Sequence, residues 1–189
     1  MGSADKAEVG RVFLNVAKPS SVSKEELAIA QAVNTLHPFI VSRQEEKLEW
    51  ENTELLFKAI IDPQLIPQWW RPRYLSTEVD RMDVRPGGEW RFINRDDQGN
   101  AYGFHGVYHE VLAPERIIDT FEFEGLPEAG HVALETMKLE ALPGGKTRLV
   151  TQSVFQSVAD RDGALQSGME TGLNDTHDRL TELLETMSQ

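Results

Sequence analysis

Six short runs between Thr77 and Phe155 limit what this chain can fold into. They are Thr77–Val84, Glu89–Asn94, Ala101–Leu112, Ile117–Glu124, His131–Leu142 and Thr147–Phe155. Each alternates apolar and polar residues, the mark of a strand with one buried face. The links between them are six residues or fewer and rich in turn formers: Pro86-Gly87-Gly88, Asp96-Asp97-Gln98-Gly99-Asn100, Ala113-Pro114-Glu115 and Pro143-Gly144-Gly145. Parallel neighbours need a crossover of about a dozen residues, so these runs pair as antiparallel hairpins. After them, Leu165, Met169, Leu173, Thr176, Leu180 and Leu184 step by three or four along one helical face. Gly163, Gly168 and Gly172 weaken the first half, so that helix is expected to be kinked or to start late. A sheet with one amphipathic helix over one face is an α+β domain.

Upstream, Asn52-Thr53-Glu54 opens a helix whose apolar face is Leu55, Leu56, Ala59 and Ile60, and Pro63 ends it. Further upstream, Ser23-Lys24-Glu25-Glu26 reads as a capping box. Leu27, Ala30, Ala32, Val33 and Leu36 follow at helical spacing and Pro38 stops them, giving an amphipathic helix over about 24–36. Charge separates this leader from the rest. The chain carries 19 Lys and Arg against 31 Asp and Glu, a net of −12, yet residues 1–44 are close to neutral. Two pieces are therefore expected: an N-terminal extension over 1–37 and a folded domain over 38–187.

The acidic balance argues against nucleic acid or an anionic membrane as partner, since both recruit clustered Lys and Arg. No apolar run reaches the length of a membrane span, and the start lacks the apolar stretch of a signal peptide, so a cytoplasmic location is expected. With no cysteine there is no thiol nucleophile, disulfide or thiolate metal site. His105 and His109 form an H-x3-H spacing, but two glycines and β-rich neighbours place them on a strand. There they stand about 13 Å apart, too far for one metal, and no metal is expected. In Trp69-Trp70, helical geometry turns adjacent rings about 100° apart. Either one anchors the core while the other faces a cavity, or both pack. Gly87-Gly88 reads as a turn between strands, and no catalytic carboxylate pair can be named.

Three groups of residues carry a resemblance. The first is Asp62-Pro63 followed by Trp69-Trp70 and Pro72; the second is Val84-Arg85-Pro86-Gly87-Gly88-Glu89-Trp90-Arg91. The third is Gly106-Val107-Tyr108-His109-Glu110-Val111 leading to Pro114-Glu115-Arg116-Ile117. Phe155-Gln156-Ser157, Arg161-Asp162-Gly163, Ser167-Gly168-Met169 and Asp178-Arg179-Leu180 complete the set in order. Over about 45–186 the chain resembles the START-like (SRPBCC) superfamily, in its bacterial branch similar to the C-terminal domain of the activator of Hsp90 ATPase. That resemblance implies a helix-grip fold: a curved antiparallel β-sheet wrapped around a long C-terminal α-helix, here with an N-terminal helical extension. It also implies a cavity between sheet and helix. Two positions depart from the family pattern. Arg71 stands where a glycine is usual, which would place a cation by the cavity mouth. The opening strand lacks its usual Ala-Pro exit, leaving Phe39–Gln44 or Lys47–Trp50 as that strand, with Ile40-Val41-Ser42-Arg43 favouring the first.

The function that this resemblance implies is binding of a small hydrophobic or aromatic molecule, without a cofactor. The lining expected is Trp70, Trp90, Tyr102, Phe104, Tyr108, Phe121 and Met169, with Arg71 and His105 as polar handles. Two other functions occur among similar proteins. A chaperone cofactor is not expected, because the leader does not resemble the activator's large N-terminal domain. A cyclase- or aromatase-like enzyme would use the same cavity with His105 as acid and base, but no catalytic set is assembled. The leader helix has three places to dock: its own domain, a second copy in a homodimer, or the pocket mouth.

Overall fold

A computed structural model of the chain describes the backbone of residues 41–50, 52–167 and 169–188, and the side chains of 52–167 and 172–188. The leader helix and the boundary at residue 37 lie outside the described residues. The elements in order are β1 (Val41–Trp50), α1 (Thr53–Ile61), α2 (Ile66–Trp69), β2 (Ser76–Met82), β3 (Glu89–Arg95), β4 (Ala101–Leu112), β5 (Arg116–Phe123), β6 (Ala133–Ala141), β7 (Thr147–Val154), α3 (Val158–Gln166) and α4 (Met169–Met187).

Strands β2 to β7 form the antiparallel meander that the short links require, and β1 returns to pair with β7. The resulting order is β1-β7-β6-β5-β4-β3-β2, with helices α1 and α2 inserted between the first two strands of the sequence. This is the helix-grip arrangement. Residues 41–44 of the first proposed segment and all of Lys47–Trp50 belong to β1; Phe39 and Ile40 lie outside the described residues. Val41–Glu46 pair with Val154–Leu149, the register then shifts, and Trp50 meets Thr147. An alternation pattern broken by such a shift reads as two rival strands, which is why the sequence alone offers both.

Local chemistry explains the helix ends. Asn52 caps α1 by accepting from the Leu55 amide at 3.0 Å, and Glu54 in the first turn faces the positive end of the helix dipole. Ser157 does the same for α3, accepting from the Asp160 amide at 3.1 Å. The C-terminal helical stretch is broken near its glycines into α3 and α4. Leu56, Ile60, Ile66 and Trp69 from the first two helices meet Leu180, Leu183 and Leu184 of α4 over Leu139 and Leu149 of the sheet. Leu56 and Leu180 have no exposed surface. By contrast, α3 has no buried residue. Among the described residues no helix is long and apolar enough to cross a membrane.

Candidate functional site

The inner, helix-facing side of the sheet follows from register. On β3 the buried positions are Trp90, Phe92 and Asn94, and their partners on β4 are Gly106, Phe104 and Tyr102. Alternation then places Tyr108 on the same face, opposite Asp119 of β5, with Phe121 and Phe123 further along. One end of this face is aromatic. Trp70, just past α2, meets Phe92 at 4.9 Å, Phe104 at 5.3 Å and Trp90 at 6.2 Å between ring centroids, all edge-on. Phe104 continues the row to Phe121 at 5.7 Å and Phe123 at 5.1 Å. Edge-on and tilted pairs at these separations are the favoured aromatic geometries.

The tryptophan pair divides as helical geometry requires. Trp69 is buried and its indole N–H donates to the Ala59 carbonyl at 2.9 Å, while Trp70 remains half-buried on the aromatic row. Phe104, Phe121 and Phe123 are half-buried too, although they face the helices. Tight packing would have sealed them, as it seals Leu180. Phe104 and Phe121 pack against the core without being sealed by it.

Beyond the aromatic row the inner face becomes acidic. Asp119 on β5 stands directly opposite Glu135 on β6, and Glu135 opposite Ser153 on β7. The Trp90 indole donates to Asp119 Oδ2 at 2.9 Å and the Ser153 hydroxyl to Glu135 Oε1 at 3.0 Å. Trp90 reaches across β4 because its neighbour there is glycine. A Cβ on Gly106 would stand 1.7 Å from the Thr120 carbonyl oxygen and 2.7 Å from the Trp90 indole nitrogen. Burial and the facing Glu135 charge push the Asp119 pKa up to about 8, against the lowering effect of the Trp90 hydrogen bond. Burial raises Glu135 as well, opposed by Ser153. Two carboxyls this close cannot both ionise cheaply, so at neutral pH the pair keeps a proton. Tyr108, beside Asp119, is held neutral chiefly by burial. Glu135 itself keeps part of its surface accessible.

The nominated residues fall into three sets. Trp70, Trp90, Phe104, Tyr108 and Phe121 share the inner face. Tyr102 has that parity but sits at the rim, 36 % exposed, its hydroxyl donating to Asp96 at 3.2 Å. His105 lies on the opposite face of the sheet, with Nε2 3.4 Å from Glu122 and Nδ1 3.3 Å from Glu124. There it joins Arg91, whose guanidinium grips Glu124, so His105 does not share the inner face with the rings. Arg71 is no free handle: it donates to the Pro67 carbonyl at 3.2 Å and to the Leu75 carbonyl, stapling the α2–β2 segment. Burial and the neighbouring Arg179 charge lower its pKa. Met169 opens α4, and its side chain lies outside the described residues.

The pair Asp119–Glu135 was missed from sequence, although a signal existed. Asp119 interrupts Ile117, Phe121 and Phe123, and Glu135 interrupts Ala133, Met137 and Leu139, at positions whose parity is inward. A separate open groove of about 790 Å³ lies at the other end of the sheet, between the start of α1, the β4–β5 turn and the end of β6. None of the nominated residues lines it.

Residues 52–185 match the family described as Activator of Hsp90 ATPase homolog 1-like protein (AHSA1). The chain belongs to that family. Solved structures share the AHSA1-like fold at low identity. A crystal structure from Rhodobacter sphaeroides is 22 % identical with TM-score 0.70, covering 77 % of this chain and 93 % of the other. An NMR structure from Arthrobacter aurescens is 18 % identical with TM-score 0.69, covering 77 % and 86 %. The crystal structure of the AHSA1 protein of Silicibacter pomeroyi is 22 % identical with TM-score 0.63, covering 78 % and 99 %. No curated protein matches the chain in sequence. Within this AHSA1-like chain the Pro86-Gly87-Gly88 motif has a visible task. Gly87 adopts φ +79°, its amide donates to the Tyr108 carbonyl at 2.7 Å, and Tyr108 donates back to Gly88 at 2.9 Å. That exchange docks the β2–β3 turn on β4 and delivers Trp90 to the inner face.

Proposed function

We propose that this AHSA1-like chain binds a small, largely apolar aromatic molecule between the inner face of its sheet and helices α3 and α4. The observation that carries this reading is the row Trp70–Phe104–Phe121–Phe123, which faces inward yet is only partly buried. Apolar rings left partly uncovered inside a domain forgo roughly 25 cal/mol for each Å² left unburied. A ligand of similar shape recovers that energy and gains edge-on ring contacts.

The test is a panel of bicyclic aromatic molecules followed by thermal shift and by NMR of the indole and phenylalanine ring protons. Binders should raise Tm and move the Trp70 indole N–H together with ring signals of Phe104 and Phe121. A panel that leaves both readouts unchanged refutes the reading. A variant Phe121→Ala should weaken every binder, because it removes the middle of the row.

A further inference from the structure

Register also sets the outward face of the sheet. Leu134 of β6 pairs with Thr120 of β5 on one side and with Val154 of β7 on the other, and Val154 pairs with Val41 of β1. This row has the parity opposite to the inward Phe121, Ala133 and Ser153. An antiparallel sheet with one packed face is polar on the other, yet Leu134 is apolar and 42 % exposed. Of the six large hydrophobic side chains exposed among the described residues, three border this end of the sheet. They are Leu126 in the β5–β6 link, Leu134, and Val158 at the start of α3. Polar ties cross the same end. His131 Nδ1 lies 2.6 Å from Asp160, and the Gln156 side-chain amide donates to the carbonyls of Gly130 at 2.6 Å and Val132 at 3.2 Å. Apolar residues grouped on a tied surface mark a docking site, because the occupant has little left to order.

The occupant follows from where the chain enters. The forty residues ahead of Val41 join the sheet at this row. We propose that residues 24–36 form a helix that docks on this end of the sheet of their own chain, with Ile29, Val33 and Leu36 against Leu134 and beside Leu126 and Val158. The three leader residues stand at i, i+4 and i+7, one helical stripe. A helix of that length is marginal in water alone and needs an apolar surface. Reach selects the surface. The four residues from His37 to Ile40 link Leu36 to Val41 and span at most about 14 Å. Leu134 stands two strands from Val41, about 10 Å away. The open groove by Asn52 and Ala141 lies past the other end of β1, about 30 Å along the strand, out of reach of Leu36. A second copy presents the same patch, but tethering gives the chain's own helix an effective concentration near millimolar.

The chain has no cysteine, so Gln31→Cys, on the polar side of the helix, takes a single nitroxide label. In the labelled full chain, the amide NMR signals of Leu126, Leu134 and Val158 should be broadened away while those of Leu112 and Ala141 keep their intensity. Broadening at Leu112 and Ala141 instead, or at neither place, overturns the proposal. A mixture of labelled chain with isotope-enriched chain that carries no label separates the two occupants. Full intensities in the mixture support the chain's own helix; loss of the Leu134 signal there assigns the patch to a second copy and overturns it. Hydrogen exchange of unlabelled protein gives a readout free of the probe. Amides of residues 27–36 should exchange at least about tenfold more slowly in the parent than in Leu134→Asp or Val33→Asp, with exchange around Leu180 unchanged in both. Val33 lies ahead of the sheet, so its variant decides the matter if Leu134→Asp does not fold. Leader amides that exchange equally fast in parent and variants refute docking. Each of these outcomes leaves the aromatic-ligand reading where it stands.

Discussion

The two halves of the sheet–helix interface are built from the same elements and finished differently. At the α1 end, the last turns of α4 insert Leu180, Leu183 and Leu184 against Leu56, Leu139 and Leu149, and every one of these is buried. Toward Trp70, Phe104, Phe121 and Phe123, the same inner face carries only partly buried rings and a carboxyl pair. Packing like the first half maximises stability. Leaving the second half open and acidic gives some of it up, the pattern expected where a protein keeps a site at the expense of its fold. The contrast separates a half that is scaffold from the half proposed as a site.

The largest test of that contrast is a pair of truncations. Leu180→Ala should cost about 2–5 kcal/mol in urea denaturation, since a fully buried leucine leaves a cavity that its neighbours cannot fill. Phe121→Ala removes a larger side chain but should cost only about 1–2 kcal/mol, because part of its surface was never buried. Equal losses would mean that the second half is packed core and the contrast is false.

The carboxyl pair gives the next largest effect. Asp119 titrates near 8 in the folded chain against about 3.9 unfolded, so the folded state holds a proton that the unfolded state has lost across that interval. Its contribution to stability is complete below pH 4 and disappears as pH rises through 8, at about 1.4 kcal/mol per pH unit for one proton. Asp119→Asn should flatten the decline, so the variant gains on the parent from pH 5 to pH 9. Tyr108 on β4, Ser153 on β7 and His177 on α4 are common to both proteins and cancel in the difference. A difference that is constant with pH would remove the shared-proton description.

Gly106→Ala sharpens the same boundary from the backbone. The added methyl would collide with the Thr120 carbonyl, so β4 and β5 must part or Trp90 must move. We expect a loss of about 1–3 kcal/mol and a displaced Trp90 indole N–H signal. An unmoved signal would show that the indole does not depend on the gap over Gly106 to reach Asp119.

Much of this was legible in the residues. Period-two alternation placed β2 to β7 to within two residues at most ends, because each strand has one wet face and one dry one. The glycines of the C-terminal stretch foretold its break. What stayed hidden was long-range. His105 and Phe104 are adjacent in sequence, and only the register of β4 with Arg91 shows that His105 faces out. Asp119 and Glu135 are ordinary acids one strand apart, and their meaning comes from a pairing that one sequence does not display. Arg71 looked like a ligand handle because its occupation by two backbone carbonyls is a property of the folded loop.

The smallest expected effect concerns the strap between the halves. Arg73, in the segment that carries Trp70, pairs with Asp175 at 3.1 Å and with Glu182 on α4, and its amide donates to Asp175. Arg73 and Glu182 are about half exposed and Asp175 partly so, and their pairing is screened by water and salt. Arg73→Ala should therefore change Tm by about 1 °C or less. The same strap fixes where the Trp70 ring lies over Phe92 and Phe104. Its loss should broaden the Trp70 indole signal and raise the dissociation rate of any bound aromatic probe, while the Leu180 methyl signals stay sharp. If the methyl signals broaden as well, the strap belongs to the scaffold, and the line between the two halves runs closer to Trp70 than the burial pattern places it.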